Sequence, residues 1–475
     1  MRLRPPRIQF VKNLPLTYAG KVPKRPSGIA LTAARPARAT QKEKQGMNAL
    51  SMNRREFLKC AGAGGAAAAA PFIILARALG ANAPNEKIAL GFIGAGGRGS
   101  ALLGGFLGLP DCRVVAICDC FGSRRERAAQ RVNEKYESEG CKAIADFREL
   151  CEDPSIDAVV VATPDHWHVP AALAAVRQGK HVYVEKPLGI SIRHDQALRE
   201  AVRRYGVVFQ YGTQQRSMGH MRRVCELVVN GRIGKLQAVE VLSPGGIQGG
   251  STVPIPVPAD LDYDMYLGPA PEAPYTKDRC TRNGSYHISD FALGFIAGWG
   301  AHPLDIMVWG LGDTPAAVPV ECEGSGVFPR EGLYDTAMSW DVRGKFADGT
   351  RFRFLGPGKD TTTFIGDQGR IAVSRSGIRE LDPPSLKDEP IGPGEKRLSV
   401  SANHGQNFLD CIRTGGRTVS PVEAACWSDA VSHLSDIAIR TGRRIQWDPV
   451  KETIVDDPSA LRMLHRPMRA PWSLG

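Results

Sequence analysis

A glycine-rich motif between two apolar runs is the clearest chemical signal in this sequence. The run Ile88–Ile93 leads into Gly94-Ala95-Gly96-Gly97-Arg98-Gly99, and the next apolar run, Val114–Cys118, ends at Asp119. Glycines at these spacings permit a tight turn and let a pyrophosphate approach the N–H groups at a helix start. An acid after the second strand accepts hydrogen bonds from an adenosine ribose. The motif predicts a dinucleotide site formed by Gly94, Gly96, Gly97, Arg98, Gly99 and Asp119.

The acid also predicts which dinucleotide binds. A carboxylate at Asp119 hydrogen-bonds a free 2′-hydroxyl and repels a 2′-phosphate, so NAD is expected in preference to NADP. Arg124 and Arg125 follow shortly after and would soften this preference. The alternative interpretation of the motif, a glycine-rich surface turn, does not account for the two flanking strands and the acid.

Two polar segments follow later apolar runs. Thr163-Pro164-Asp165-His166-Trp167-His168 comes after one predicted strand, and Glu185-Lys186-Pro187 comes after the next. The carboxyl ends of parallel strands share one edge of a sheet, where folds of this type bind ligands. Oxidising an alcohol with a nicotinamide requires a base for the hydroxyl proton, and an amine buried beside a cationic ring favours its neutral form. Lys186 is the candidate base; the alternative is a solvated surface lysine.

Alternating strands and helices between Lys87 and Tyr211 predict a doubly wound parallel sheet. The strand runs are continuous in Val and Ile, as in a sheet covered on both faces. Strands are expected at Ile88–Ile93, Val114–Asp119, Ala158–Ala162, His181–Glu185 and Val207–Tyr211. Helices are expected at Ser123–Tyr136, Val169–Arg177 and Ile192–Arg204. The fold class is therefore α/β, a Rossmann nucleotide-binding domain over residues 84–213.

The pattern changes after Thr213. A helix at Met218–Val229 and a strand at Leu236–Leu242 precede a loop-rich stretch from Pro244 to Pro274, and alternating segments such as Ala337–Phe346 and Thr350–Leu355 follow. We predict an α+β domain over residues 214–475 with an open, mainly antiparallel sheet. Its last helix is expected to begin at a capping box, Ser420-Pro421-Val422-Glu423, and to end at Gly442.

The amino-terminal segment predicts export. Residues 1–83 hold 15 Lys and Arg against two acidic residues, so the rest of the chain is nearly neutral and nucleic acid is excluded as a partner. Arg54 and Arg55 precede the apolar, Gly- and Ala-rich stretch 61–76, which is shorter than a membrane span. Residues 47–83 are therefore interpreted as a twin-arginine signal that directs the protein to its export machinery and the periplasm or exterior, with no stable membrane anchor. Residues 1–46 are expected to be disordered or untranslated.

The cysteines predict neither a disulfide framework nor a metal site. Eleven are present, without a Cys-x-x-Cys pair, and twin-arginine export carries proteins that folded in a reducing compartment. No metal is expected.

The ordered motifs resemble the glucose-fructose oxidoreductase and inositol dehydrogenase family (Gfo/Idh/MocA). The resemblance rests on the glycine motif, Ala162-Thr163-Pro164, the run 179–187 ending in Glu-Lys-Pro, and Gly212-Thr213-Gln214-Gln215-Arg216. It covers essentially the whole chain from Lys87. It implies that Lys186 is the acid/base, that the bond before Pro187 is cis, and that the protein is a homo-oligomer. It also implies cofactor contacts from Thr163, Pro164, His168, Glu185 and Gln214, for which turn and cap chemistry is the alternative.

The resemblance extends to a substrate-side signature, Gly298-Trp299-Gly300-Ala301-His302-Pro303-Leu304-Asp305. His302 matches the histidine that hydrogen-bonds substrate and assists proton transfer in the family. Gly298 departs from the pattern, because the family has an Asp four residues before the histidine. Asp305 is a candidate to compensate, and Trp299 is a candidate to stack on a sugar ring. Core packing is the alternative for His302 and Trp299.

These expectations define three functions. The first is an exported NAD-dependent oxidoreductase acting on a sugar, polyol or glycoside, with Lys186 and His302 as catalytic residues. The second keeps the fold but oxidises the sugar only transiently, giving a glycosidase or lyase without net redox change. The third is a cofactor-binding sensor or scaffold, which would not require a base at Lys186.

Replacing both arginines of the signal tests the predicted export. We expect Arg54→Lys together with Arg55→Lys to leave folded protein in the cytoplasm, because the pathway reads the arginine pair. Cell fractionation with immunodetection measures the distribution. Unchanged export of the double variant would contradict the twin-arginine interpretation.

Overall fold

The structure is a computed structural model that describes residues 87–475. The expected extension at 1–46 and the expected signal at 47–83 lie outside the described residues. No helix within residues 87–475 combines the length and apolarity that crossing a membrane requires.

The first sheet has six parallel strands in the order β3-β2-β1-β4-β5-β6, which is the Rossmann order. Its strands are β1 (Ile88–Ile93), β2 (Cys112–Cys118), β3 (Lys142–Ile144), β4 (Ala158–Val161), β5 (His181–Val184) and β6 (Phe209–Tyr211). All four residues of β4 are fully buried, because helices cover both faces of the sheet. The edge strand β3 was not predicted from sequence, since it is short and half exposed.

Five helices connect these strands: α1 (Gly97–Leu107), α2 (Gly122–Tyr136), α3 (Phe147–Glu152), α4 (Asp165–Arg177) and α5 (Ile192–Tyr205). Helix α5 begins where the Ser191 hydroxyl accepts from the His194 N–H, and it ends at Gly206 in the left-handed conformation. Helix α4 begins four residues earlier than the predicted Val169. Its first turn is therefore the Asp165–His168 segment that follows β4.

The second sheet has nine strands in the order β13-β12-β11-β7-β10-β9-β8-β14-β15. Its strands are β7 (Leu236–Leu242), β8 (Glu321–Val327), β9 (Ser339–Lys345), β10 (Arg351–Gly356), β11 (Thr361–Gly366), β12 (Arg370–Ser374), β13 (Gly377–Asp382), β14 (Ile445–Asp448) and β15 (Thr453–Val455). Only the pairing of β7 with β10 is parallel, so the expected open, mainly antiparallel sheet is confirmed. Alternation places Phe352 and Phe354 of β10 in the core and Arg351 outside.

The helices after β6 are α6 (Gly219–Val229), α7 (Tyr263–Leu267), α8 (Arg282–His287), α9 (Phe295–Gly298), α10 (Ala301–Gly310), α11 (His404–Thr414), α12 (Val422–Thr441) and α13 (Pro458–Arg462). Helices α6, α10 and α12 pack on the inner face of the second sheet. The predicted capping box before α12 is wrong: no side chain caps the helix, and the Ser420 hydroxyl bonds instead to the hydroxyl of Thr213 at 2.7 Å.

Two carboxyl-terminal helices also complete the core of the first sheet. Phe408 and Leu409 of α11 pack with β1 residues, and Val422 and Ala425 of α12 pack with β5 and α5 residues. The strands that carry the predicted site residues therefore pack against α11 and α12, which come much later in the sequence.

A fully buried ion pair anchors α10, the helix that carries His302. Arg216 lies in the short 3₁₀ turn Gln214–Ser217 after β6, and its Nε and a terminal nitrogen each lie 2.7 Å from an Asp305 oxygen. The other terminal nitrogen contacts Asp313 at 2.8 Å. Neither the Arg216 nor the Asp305 side chain has solvent access, so the charge of each group is stabilised by its partners inside the protein rather than by water.

Removing the buried carboxylate tests this anchor. We expect Asp305→Ala to lower the free energy of unfolding by about 3–5 kcal/mol, because the guanidinium stays buried with only the partly exposed Asp313 as counter-ion. Urea titration followed by circular dichroism measures the change. Asp313→Ala is the matched control, and its partly exposed carboxylate should matter much less. Equal unfolding midpoints for Asp305→Ala and the unmodified protein would show that the pair does not anchor the helix.

Candidate active site

A cavity of about 670 Å³ lies at the carboxyl edge of the first sheet. Ten of the residues predicted from sequence line it: Gly94, Gly96, Gly97, Arg98, Asp119, Thr163, Pro164, His168, Glu185 and Lys186. The two strand-end segments and the glycine turn thus meet at one cavity, as the shared edge of a parallel sheet requires.

The glycine turn has the geometry that a pyrophosphate needs. Gly94 has φ +94°, and a Cβ there would lie 2.6 Å from the Ala162 carbonyl oxygen. A Cβ at Gly99 would lie 1.9 Å from the Gly94 oxygen, so only glycine allows α1 to pack this close to the strand. A Cβ at Gly97 would meet nothing within 4 Å, and no side chain caps α1. Open space therefore faces the N–H groups at the helix start, which is the arrangement a dinucleotide phosphate fits.

Asp119 is buried, and its carboxylate holds the glycine turn through a backbone hydrogen bond. One carboxylate oxygen accepts the Ala95 N–H at 2.7 Å, and the other accepts the Phe121 N–H at 2.9 Å. Carboxylate oxygens have two acceptor sites each, so Asp119 retains capacity for ribose hydroxyls.

A second carboxylate lies near the same end of the cavity, and sequence reasoning missed it. Asp260 comes from the loop-rich stretch, and its oxygens accept the N–H and hydroxyl of Ser123 at 2.7 and 2.6 Å. These hydrogen bonds lower the pKa of Asp260. The carboxylate thereby occupies the amino terminus of α2, the anion site next to Asp119.

Arg124 and Arg125, which were expected to weaken the preference for NAD, are both engaged. The Arg124 guanidinium lies 3.7 Å from the centroid of the Phe121 ring and lines the cavity. Arg125 donates to the backbone oxygen of Asp119 at 3.2 Å.

Lys186 follows Glu185 at the end of β5. The buried carboxylate of Glu185 accepts hydrogen bonds from other residues. Glu185 accepts from Arg98 Nε at 2.8 Å and from Gln214 Nε2 at 2.9 Å. The Lys186 amine instead donates to the Gly298 carbonyl at 2.8 Å, and it forms no ion pair with a carboxylate in the described part of the chain. Its peptide bond to Pro187 is cis, as the resemblance implied.

Gly298 stands where the resemblance predicts an Asp, and a side chain at this position would press against a neighbouring ring. A Cβ at Gly298 would lie 3.0 Å from Cδ1 of Tyr286. The Tyr286 ring lines the cavity, and its centroid lies 5.4 Å from Lys186 Nζ. A phenol and a backbone carbonyl therefore surround the lysine amine at the place where the family pattern has a carboxylate.

His168 joins the two strand-end segments. Its Nδ1 lies 2.6 Å from the Pro187 carbonyl, and its Nε2 lies 2.9 Å from the Thr163 carbonyl. Burial lowers the pKa of His168 to about 4, and the hydrogen bonds to the two carbonyl oxygens oppose that shift. The histidine thus positions the loop that carries Lys186.

Asp429 of α12 holds the other side of this loop, and no sequence motif indicated it. One oxygen accepts the Leu188 and Gly189 N–H groups at 2.6 and 3.3 Å, and the other accepts the Tyr211 hydroxyl at 2.6 Å. Burial raises the pKa of Asp429 to about 7.

Asp165 is another polar residue of the cavity that the sequence analysis did not select. Its carboxyl is buried at the first turn of α4, and one oxygen has no hydrogen-bond partner. Burial raises its pKa well above the usual range, and the nearby charge of Lys186 opposes this shift. A buried carboxyl therefore lies within electrostatic reach of the lysine amine.

His302 lies outside the cavity lining but beside the lysine segment. The residue is 4% exposed, its Nε2 lies 3.1 Å from a terminal nitrogen of Arg375, and its Nδ1 has no partner. Burial lowers its pKa well below the usual value, and the charges of Lys186, Arg375 and Arg98 lower it further. The ring is a neutral hydrogen-bonding group whose Nε2 accepts from Arg375.

Asp305 and Trp299 do not line the cavity. Both oxygens of Asp305 face Arg216 in the buried ion pair, so the expectation that Asp305 binds substrate in place of the missing Asp does not fit the structure. The Trp299 ring packs edge-on against Phe295 and His302, with centroids 6.2 and 5.8 Å apart.

Three sequence models match the chain. They are the NAD-binding Rossmann fold of the oxidoreductase family at residues 88–213, its C-terminal α/β domain at 247–474, and a twin-arginine translocation signal at 51–71. The signal confirms that the protein is exported by the twin-arginine pathway.

Curated relatives match over shorter stretches. A glycosyl hydrolase family 109 protein from Saccharopolyspora erythraea is 40% identical over 111 residues, 23% of this chain and 24% of the relative. The myo-inositol 2-dehydrogenase of Thermotoga maritima is 30% identical over 179 residues, 38% of this chain and 49% of the relative. The alignments thus span half or less of these relatives.

Solved structures share the fold at low identity. GenD2 from gentamicin A biosynthesis, in complex with NAD, has a TM-score of 0.56 at 18% identity and covers 76% of this chain and 97% of its own. The WlbA dehydrogenase of Bordetella pertussis, in complex with NADH and UDP-GlcNAcA, has a TM-score of 0.56 at 16% identity and covers 76% and 99%. The chain belongs to the Gfo/Idh/MocA oxidoreductase family and joins its NAD-binding Rossmann fold and C-terminal domain to a twin-arginine signal.

Proposed function

We propose that the exported protein transfers a hydride between NAD and a hydroxyl-bearing carbon of a sugar, polyol or glycoside. The observation that carries the proposal is Lys186, whose amine lies in the dinucleotide cavity and is held by the Gly298 carbonyl rather than by a carboxylate. An amine with this partner is free to exchange a proton with a substrate hydroxyl, which the oxidation of an alcohol requires.

Nicotinamide supplies or accepts the hydride when it is bound. Lys186 is the catalytic acid/base, and neutral His302 orients the substrate through a hydrogen bond. Tyr286 bounds the space around the lysine amine where the family pattern has a carboxylate. Lys186 therefore carries the proton transfer without an aspartate at position 298.

The residues around the turn support NAD as the cofactor. The glycine turn and the cradle of N–H groups at α1 accept the pyrophosphate, and Thr163, Pro164, His168, Glu185 and Gln214 lie at or behind the nicotinamide end. Asp119 accepts the ribose hydroxyls. Asp260 fills the amino terminus of α2 with negative charge, so a 2′-phosphate meets repulsion there.

The similarity to glycosyl hydrolase family 109 proteins favours a second candidate function. A glycosidase or lyase of this fold would require the cofactor to stay bound while a sugar carbon is oxidised transiently and then restored, with no net redox change. Lys186 and His302 would have the same roles. A non-enzymatic sensor is the weaker third candidate, because it requires no amine in the cavity. Homo-oligomerisation through the open face of the nine-stranded sheet is part of the proposal.

Changing the two carboxylates at the ribose end tests the cofactor. We expect Asp119→Asn to weaken NAD binding by about tenfold, because a charged acceptor for the ribose hydroxyls is lost. Asp260→Ala should tighten NADP binding by about tenfold and leave NAD binding nearly unchanged, because the amino terminus of α2 becomes free. Isothermal titration with each nucleotide measures both. Extraction of mainly NADP from the purified protein would contradict the proposal.

Replacing Lys186 tests the chemistry. We expect Lys186→Ala to lower kcat by roughly a hundred- to ten-thousandfold with NAD affinity retained, because a positioned acid/base is lost. Lys186→Arg should stay inactive, since a guanidinium keeps the charge but does not give up its proton. His302→Ala should cost less in kcat and should also raise KM.

NADH absorbance and product release are followed together on a panel of sugars and glycosides. NADH formed in proportion to product indicates net oxidation; product without NADH indicates transient oxidation. The control is Lys451→Ala, an exposed lysine paired with Asp448. Equal turnover of Lys186→Ala and the unmodified enzyme on a converted substrate would reject the assignment.

A further inference from the structure

A hairpin of the second sheet brings an arginine against the site histidine. Strand β12 ends at Ser374 and β13 begins at Gly377, and Arg375 lies in the turn between them. One terminal nitrogen of Arg375 lies 3.1 Å from His302 Nε2, and the guanidinium carbon lies 5.8 Å from the centroid of the Trp299 ring. No motif in the sequence marked this residue.

Arg375 forms no salt bridge within residues 87–475, and the one side-chain hydrogen bond of its guanidinium there is to the neutral imidazole. The acid that faces it, Asp360, accepts from Gln215 at 3.0 Å and bonds the backbone N–H of Arg375. Burial raises the pKa of Asp360, whereas its hydrogen bond from Gln215 and the charge of Arg375 oppose this shift.

Lys186 is a second cation of the site that forms no salt bridge. Arg98 pairs with Glu185, whereas Lys186 and Arg375 have no carboxylate partner in the described chain. Their charges reach His302, because each lowers the pKa of that ring. An anion that binds near His302 meets two cations that form no salt bridge in the described chain.

Solvation alone is the simpler explanation of an exposed arginine. It does not explain why the guanidinium contacts a buried imidazole and the face of Trp299. A planar guanidinium with free N–H donors matches the two oxygens of a carboxylate or phosphate, which an imidazole nitrogen does not.

We propose that Arg375 binds an anionic group of the substrate, a carboxylate or phosphate carried by the sugar, and so selects acidic sugar derivatives over neutral sugars. The inference rests on the proposed function and names its substrate class. When the anion engages Arg375, the guanidinium leaves His302, and Nε2 becomes available to a substrate hydroxyl. Arg375 is thus a specificity-determining residue that also controls the histidine.

Matched substrates test the inference in the NAD-loaded enzyme. Glucose, glucuronate and glucose 6-phosphate, with galactose and galacturonate as a second set, are compared by kcat/KM. We expect the preferred anionic member to exceed its neutral counterpart by about ten- to hundredfold, and the carboxylate and phosphate arms to identify which anion fits. Arg375→Gln should lower kcat/KM for the anionic sugars, mainly through KM, until they no longer exceed their neutral counterparts.

Arg379→Gln is the matched control, an exposed arginine of the same hairpin that bonds the Ser374 hydroxyl. It should keep the preference for anions. Equal kcat/KM for neutral and anionic sugars, or an equal loss for both in Arg375→Gln, would overturn the inference while the proposed function stands.

If no sugar is converted, a binding measurement distinguishes failure of the proposed function from failure of the anion site at Arg375. Absence of both NADH and product with every substrate counts against the proposed function. Thermal stabilisation of the NAD complex by glucuronate or glucose 6-phosphate is then measured. Stabilisation that disappears in Arg375→Gln but persists in Lys186→Ala supports the anion site, and stabilisation that is absent or unchanged in Arg375→Gln overturns it.

Discussion

The ion pair between Arg98 and Glu185 is the interaction on which the site depends. It joins the helix after the glycine turn to the end of β5, and it occupies the carboxylate next to Lys186. Gln214 supplies a further donor to the same oxygen. Because that carboxylate is satisfied, the lysine amine contacts the carbonyl of Gly298. A neutral dipole holds the amine in place without competing for the proton that the proposed reaction moves.

The second half of the site is arranged by a buried ion pair and by burial of the histidine. His302 lies on a helix anchored by the Arg216–Asp305 pair, and its surroundings keep the ring neutral. In the proposed reaction Lys186 and His302 therefore have different tasks: the amine exchanges protons, and the imidazole forms hydrogen bonds. Arg375 adds the third element, because it occupies the imidazole nitrogen until an anion displaces it.

Local patterns in the sequence were sufficient for the nucleotide-binding half. The strand, glycine turn, helix, second strand and acid follow one another within a short stretch of sequence, so each element could be predicted from its immediate neighbours. The strand ends that carry Thr163 and Lys186 followed from the rule that parallel strands share one edge. The mainly antiparallel second sheet was also predicted from alternation. The start of α4 and the cap of α12 were not, because contacts distant in sequence decided where those helices begin.

The sequence by itself thus determined the cofactor fold, the export signal and the identity of the lysine at the cavity. Only the tertiary structure assigned Asp305 to a buried ion pair, and only it brought Asp260, Asp429 and Arg375 to the site. These residues lie far along the chain from the elements they contact, and no spacing rule connects them. Their roles depend on which loops and helices pack together, and that is decided by burial of the two sheets rather than by any local motif.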